Sequence, residues 1–458
     1  MSAPPRSRTA GAREDRLAQA RARRQARQGA AEAVAAIPAR PAGVTPLSSA
    51  QRRFWFVRQL DPAHDPFHLP VVLRLEGAVD TDRLVAAFRQ VVARHEVLRT
   101  RIVEVDGEPG AVVDAAPADA CRVRDVTDVD AAVRAAADAP FDLATDQPWR
   151  LDLLRGGTAV TLVATFHHVA FDGWSAGVLL TELGAAYRGE TLPPLPLQYA
   201  DLAHHRATPE GREGAQVEHW VRHLTGAPAA LGFPSDRPRT PATRPAEASV
   251  EHELDPAALH QVMAAAGCTA FMVLLAAWHV VLARWTGTDD TVVGTAVAGR
   301  TRPETAPLIG CCVGTLALRT TAAPGDTVRD LLARTRGTVL DGLAHQGVGY
   351  EEVVEALHRS GSGLFDVSLT VHTEPDPELV LPGVTVTPVD LPGRWAQNEI
   401  ELSVAGPGLT GTGPVTVTAQ YFTELYDAAT IDRVLGHLDQ VLRGFAADLD
   451  RPVAAVPL

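Results

Sequence analysis

Residues 158–173 read Thr158-Ala159-Val160-Thr161-Leu162-Val163-Ala164-Thr165-Phe166 and then His167-His168-Val169-Ala170-Phe171-Asp172-Gly173. The first nine are apolar or β-branched throughout, the composition of a buried strand. Beyond the loop, Val178, Leu179, Leu180, Leu183 and Tyr187 recur at helical spacing. Ser175 stands where a helix cap is expected, and Gly189 where a helix stops. A strand, a short polar loop and a helix in succession indicate a mixed fold of α/β (α+β type). The loop is expected to leave a sheet edge while presenting two imidazoles and a carboxylate.

Outward from this loop the chain keeps the same mixture. Strands are predicted over Leu69–Leu75, Thr100–Val105 and Ala111–Val113, the last two joined by the turn signal Asp106-Gly107. Helices are predicted over Thr81–His95 and Val129–Ala137. A proline-rich crossing, Pro234–Pro245, divides two halves of similar size. In the second half, helices are expected over Ala257–Ala266, Thr269–Trp285, Val328–Leu343 and Ala429–Ala447, with strands over Thr291–Ala298 and Leu364–Val371. Thr269–Trp285 is apolar nearly all round, as a central helix is. The expected organisation is a basic arm and linker over 1–45, a lobe over 46–228 carrying the histidine loop, and a second lobe over 229–458.

Composition narrows the chemistry. The 458 residues are 46 % hydrophobic and 21 % charged, as in a globular protein with room for about two or three domains. Residues 1–45 carry +6 and the remainder −19. An acidic body does not suit phosphate backbones, so nucleic acid is not an expected partner. A helix is predicted over Arg13–Gln28, basic nearly all round. All 42 basic residues are arginine. A Walker-A loop, a pyridoxal Schiff base and a Ser-x-x-Lys nucleophile each need a lysine, so all three are excluded. The four cysteines have no Cys-x-x-Cys spacing, and Cys311-Cys312 lies in an apolar run, so packed thiols are expected. No signal peptide and no membrane span is legible, and a cytoplasmic location and a monomer are expected.

Two familiar motifs do not fit their surroundings. Gly406-Pro407-Gly408-Leu409-Thr410-Gly411 has the letters of a dinucleotide fingerprint, but strand-like segments flank it and no helix starts there. Gly173-Trp174-Ser175-Ala176-Gly177 imitates a hydrolase nucleophile elbow, yet Ser175 stands well past the strand instead of on a sharp turn directly after it. For His167, His168 and Asp172 three readings compete. They can ligate a metal, though further ligands at useful spacing are missing. They can be structural. Or an imidazole near neutrality can take a proton from an attacking group and return it to a leaving group. Spacing leaves these open.

The loop resembles the His-His-x-x-x-Asp-Gly signature of condensation domains of nonribosomal peptide synthetases, within the chloramphenicol-acetyltransferase-like superfamily. Other stretches resemble that family in the same order. They include Leu47-Ser48-Ser49-Ala50-Gln51-Arg52-Arg53-Phe54-Trp55-Phe56, Arg94-His95-Glu96-Val97-Leu98-Arg99-Thr100, and Leu197-Gln198-Tyr199-Ala200-Asp201-Leu202. Pro234–Arg239, Thr286–Gly294 with Ala298-Gly299-Arg300, and Ile309–Thr315 continue the likeness. The resemblance implies two lobes in a V-shaped pseudodimer with a central tunnel. It implies catalysis at His168, with His167, Asp172 and Gly173 completing the loop. Arg99 or Arg300 is expected to pair with Asp172, beside Trp174, and Gly314, Thr315 and Ser368 to face the tunnel. No cofactor is implied; the substrate would ride on the phosphopantetheine of a donor carrier protein. The acceptor would be a small molecule or a second carrier, the product an amide or ester. An acyl-CoA-dependent acyltransferase and a non-catalytic carrier-docking domain are the neighbouring readings. With Met first and no adenylation or carrier motif, the chain looks free-standing.

Three stretches depart from the family pattern. Val-Asn-Thr is Val313-Gly314-Thr315, His-Gln-Asp-x-Pro-Phe-Glu is His345-Gln346-Gly347-Val348-Gly349-Tyr350-Glu351, and Ser-Arg-Asn-Pro-Leu-Phe is Ser360-Gly361-Ser362-Gly363-Leu364-Phe365. All lie in the second half, where altered acceptor handling is expected.

Overall fold

The structure, a computed structural model, describes residues 37–60, 67–115, 120–208, 214–228, 230–240, 246–358, 363–373, 378–391 and 397–458. The helix predicted over Arg13–Gln28, most of the basic arm, the end of the proline-rich crossing and Ser360-Gly361-Ser362 lie outside them.

The first half contains β1 (Thr45–Pro46), α1 (Ser49–Leu60), β2 (His68–Gly77), α2 (Thr81–Arg94), β3 (Thr100–Val105), β4 (Glu108–Val113) and β5 (Cys121–Asp125). It continues through α3 (Val129–Asp138), β6 (Trp149–Gly156), β7 (Ala159–His167), α4 (Gly173–Arg188), α5 (Tyr199–Ala207) and α6 (Gly214–Leu224). The second half contains β8 (Glu247–Leu254), α7 (Pro256–Ala266), α8 (Ala270–Thr286), β9 (Asp290–Val297), β10 (Gly314–Thr321), α9 (Val328–Ala344) and α10 (Tyr350–Ala356). It ends with β11 (Val367–Val371), β12 (Val384–Pro388), β13 (Ile400–Ala405), β14 (Val415–Phe422) and α11 (Ala428–Ala447).

Three sheets result, ordered β1-β4-β3, β12-β2-β7-β6-β5 and β10-β9-β11-β13-β14-β8. β7 is the third of five strands, paired antiparallel with β2 and β6. The loop therefore leaves the middle of a sheet, not its edge. The unbroken apolar run has the same cause, because both faces of β7 are covered. Leu162, Ala164 and Phe166 enter one core with α2 and α4, while Val163 packs on the other face with Val133 and Ala136 of α3.

A second core surrounds α8, which is buried along most of its length. Thr269 caps it by accepting from Met272 N, and Gly287 at φ 74° ends it. Trp220 and Leu224 of α6 already pack into this core. Two second-half segments return to the first core. Leu308, Ile309, Cys311 and Cys312 pack there, as do Leu379 and Leu381. The latter lead into β12, which pairs antiparallel with β2 from Val384↔Gly77 to Pro388↔Leu73. Gly406–Gly411 lies between the antiparallel strands β13 and β14, with a 3-10 turn at Pro407–Leu409. It is a hairpin connection.

Candidate active site

β7 ends at His167, and the chain turns so that Ala170 N and Phe171 N donate back to the carbonyls of His167 and His168. The two imidazoles diverge. His167 is fully buried, and its Nδ1 accepts from Val169 N at 3.0 Å, so this ring shapes the turn. His168 is half-buried, its ring stacked on Phe54 of α1 at 4.7 Å between centroids. Its Nδ1 lies 3.8 Å from Cys311 Sγ. Burial lowers the His168 pKa below the ordinary histidine value; the Asp172 carboxylate and the carbonyls of His168 and Phe171 oppose this in part. A neutral imidazole with acceptors poised for its charged form suits proton transfer.

The helix cap is Asp172, not Ser175. Asp172 is extended (φ −141°, ψ 178°) and accepts from Ser175 N at 2.9 Å, so α4 begins at Gly173 and Ser175 lies inside its first turn. Ser175 is fully buried. Its Oγ donates to Asp172 Oδ1 at 2.7 Å and accepts from Gly310 N at 3.0 Å. A sealed hydroxyl held in this way is no hydrolase nucleophile.

Asp172 collects six donors. Besides Ser175 N and Oγ, Arg300 Nη1 and Nη2 approach at 2.8 and 3.0 Å, and Cys312 N and Val313 N at 2.9 and 3.2 Å. Arg300 also reaches the carbonyls of Leu308 and Gly310. The planar fork matches a carboxylate with two bonds, a geometry lysine cannot supply. Arg99 makes no such contact. It turns to the Asp114 carbonyl and lies 3.6 Å from Glu96, at the end of a 3-10 turn over Glu96–Arg99. Trp174 donates to the Ala306 carbonyl at 2.9 Å, its ring 5.7 Å from the Arg300 guanidinium. Gly173 is exposed, with open space where a Cβ would stand.

The other quoted stretches close around the same place. Gln51 of α1 donates to the Val169 carbonyl at 3.0 Å. His95 and Arg94 both bind Glu182 of α4, at 2.8 and 3.0 Å, and His95 Nδ1 accepts from Ile309 N. Gln198 bridges Glu96 N and the Arg94 carbonyl. Tyr199 donates to the Cys311 carbonyl at 2.9 Å and meets Ser48 Oγ at 3.0 Å. Residues 308–313 are thereby fastened to the histidine loop by the side chains of His95, Asp172, Ser175 and Tyr199. Glu182 and the role of Tyr199 escaped sequence reasoning, because their partners lie far along the chain. Changing Tyr199 to Phe leaves the buried Cys311 carbonyl without its donor. We expect a loss of about 1–3 kcal/mol, measured by urea unfolding.

Cys311 and Cys312 are each 1 % exposed. Burial raises the Cys311 thiol well above its usual range and pushes Cys312 up to about 11, so both remain thiols. Among the described residues no three His, Cys, Asp or Glu side chains converge as metal ligands. By register Thr315 and Ser368 share one face of the six-stranded sheet, whereas Gly314 falls on the alternate side, opposite Val297. Two glycines of the departing stretches leave no room for a side chain. A Cβ on Gly349 would come 2.5 Å from Ser49 Oγ, and one on Gly347 2.9 Å from Gln216 Oε1.

The family described as "Condensation domain" matches residues 42–458. Phosphinothricin tripeptide synthetase PhsC of Streptomyces viridochromogenes is 35 % identical over 92 % of the chain and 41 % of its own length. A probable non-canonical nonribosomal peptide synthetase, CymA of Salinispora arenicola, is 36 % identical over 91 % of the chain but 6 % of itself. The chain thus spans less than half the length of these relatives. Among solved structures, the X-domain from teicoplanin biosynthesis superposes with a TM-score of 0.84 at 26 % identity, covering 93 % of this chain and all of that one.

Proposed function

The chain belongs to the condensation-domain family and has its chloramphenicol-acetyltransferase-like fold, and from that premise we propose that it is a catalytically active condensation enzyme. It joins an aminoacyl or acyl group, presented as a thioester on the phosphopantetheine arm of a carrier protein, to an amine or hydroxyl of an acceptor. The acceptor nitrogen or oxygen attacks the thioester carbonyl, a C–N or C–O bond forms, and the C–S bond breaks. The acceptor's proton passes to His168 and then to the departing thiolate. Orientation of the two substrates in the cleft supplies a further large part of the rate.

One observation carries this reading: His168 stands half-buried at the end of β7, its ring stacked on Phe54 and diverging from the structural His167, and burial holds its pKa below the ordinary histidine value. His167 and Asp172 position it, and neither is free to touch substrate. The direct assay is intact-protein mass spectrometry of a loaded carrier with candidate acceptors, with and without this chain.

The pH dependence has a definite sign. A base works only when unprotonated, so kcat/KM is level above the His168 pKa and falls as pH drops through it. Because that pKa is lowered, the acid limb is expected to inflect below 6.5, the ordinary histidine value. An acceptor that does not itself titrate between about pH 4 and 8 isolates this limb. A flat profile removes the base role.

A second reading has one specific support. The likeness to the X-domain, also solved in complex with OxyB, favours a docking domain that binds a loaded carrier and a partner enzyme. Carrier binding with no product from any acceptor decides for it.

A further inference from the structure

Over β11, β13, β14 and β8, one face of the six-stranded sheet is turned away from the second core. Along β13, Ile400, Leu402 and Val404 enter that core, so Glu401 and Ser403 point to the opposite face. The register carries this parity outward. Glu401 pairs with Ser368 on β11 and Gln420 on β14, and Ser403 pairs with Thr370 and Thr418. Gln420 and Thr418 in turn face Ser249 and Glu251 on β8. These positions carry hydroxyl, amide and carboxylate groups and no cation. The face also borders the histidine loop. Arg53 of α1 reaches Gln397 Oε1 at 3.4 Å, and the next residue, Phe54, stacks on His168. Gln397 N then donates to Glu401 Oε1 at 2.7 Å.

Glu401 is held as a receptor group is. Its Oε1 accepts three hydrogen bonds, from Gln397 N and from Asn398 N and Nδ2 at 3.0 and 2.8 Å, which fix the plane of the carboxylate. Among the described residues Oε2 has no hydrogen bond and no ion pair. A desolvated carboxylate with one oxygen open gains most when a cation is brought to it. Burial raises its pKa, Glu247 adds to the rise, and the hydrogen bonds from Gln397 and Asn398 oppose it.

We infer that Glu401 is a specificity-determining carboxylate on this sheet face, receiving an ammonium or guanidinium group that one substrate carries in addition to its reacting atoms. A reacting amine must be neutral to attack, so the bound cation is a second group on the acceptor or a group on the donor. The inference rests on the condensation reading only in calling the ligand a substrate.

The test uses the intact chain and two probe pairs, with binding measured by titration calorimetry. For the acceptor, lysine amide is compared with norleucine amide. For the donor, the lysyl thioester of N-acetylcysteamine is compared with the hexanoyl thioester. We expect the cationic member to bind at least about tenfold more tightly in one arm, which names the source, and Glu401→Gln to bring the ratio to about one. Equal binding in both arms overturns the inference, and so does a preference that survives Glu401→Gln. If that variant does not fold, Gln420→Lys places an ammonium one strand away, against Oε2, and must also erase the preference; retained preference overturns the inference. Product formation is read separately. A preference for the cation without any condensation product sinks the proposed function and leaves this inference standing.

Discussion

Replacing His168 with alanine is expected to lower the rate of product formation by roughly two to four orders of magnitude, the usual contribution of a positioned general base. The loss should fall on kcat more than on KM, because the imidazole acts on the proton in flight and not on either substrate at rest. Stability is the control. The ring is half-buried and its main neighbour is Phe54, so the variant should fold with a melting temperature close to that of the parent. His167→Ala makes the contrast. It removes the fully buried ring that holds the Val169 amide, so both yield and activity should fall together. If the His168 variant turns over at nearly the parent rate, orientation alone accounts for catalysis and the base assignment is wrong.

The second large effect is expected at Asp172. Both members of the Asp172–Arg300 pair are almost wholly buried, at 3 % and 2 % side-chain exposure. Removing one partner strands the other charge away from water, which costs about 3–5 kcal/mol. Asp172→Ala also frees the amides of Ser175, Cys312 and Val313 at once, so it should damage folding more than chemistry. Arg300→Ala should resemble it. The double variant should be less destabilised than the sum of the two, because no lone charge remains, and the difference measures their coupling. Unfolding by urea with soluble yield gives all three numbers. A soluble Asp172→Ala chain with unaltered melting and turnover would contradict the structural role.

Much of this site could be read before any coordinates. The apolar run of β7 and the polar turn after it gave the strand, the loop and their order, because local composition decides such things. Helix α8 was legible for the same reason. The partner of Asp172 was narrowed to two arginines, but only the fold separates them. Arg99 stands on a turn that faces the Asp114 carbonyl, and Arg300 stands where β9 delivers it to the loop. Asp172 and Ser175 are equally suited to capping by residue type. The backbone chose Asp172, since Ser175 was needed to hold Gly310. Strands β10 and β12 and the clasp on residues 308–313 were not foreseen. β12 and residues 308–313 meet partners far away in the chain, and no local pattern records a distant partner; β10 pairs with the strand just before it, β9, and was missed all the same.

β12 has a consequence for the order in which the protein is made. Its five residues cover the outer edge of β2, about 300 positions earlier in the chain. At typical synthesis rates, roughly fifteen seconds to a minute passes between the emergence of β2 and that of its cover. During that interval the first sheet presents a row of unpaired amides and carbonyls, the kind of surface that recruits a foreign strand. Chain closure is thus a late event, and a ribosome stalled before residue 384 would release a first lobe with an open seam.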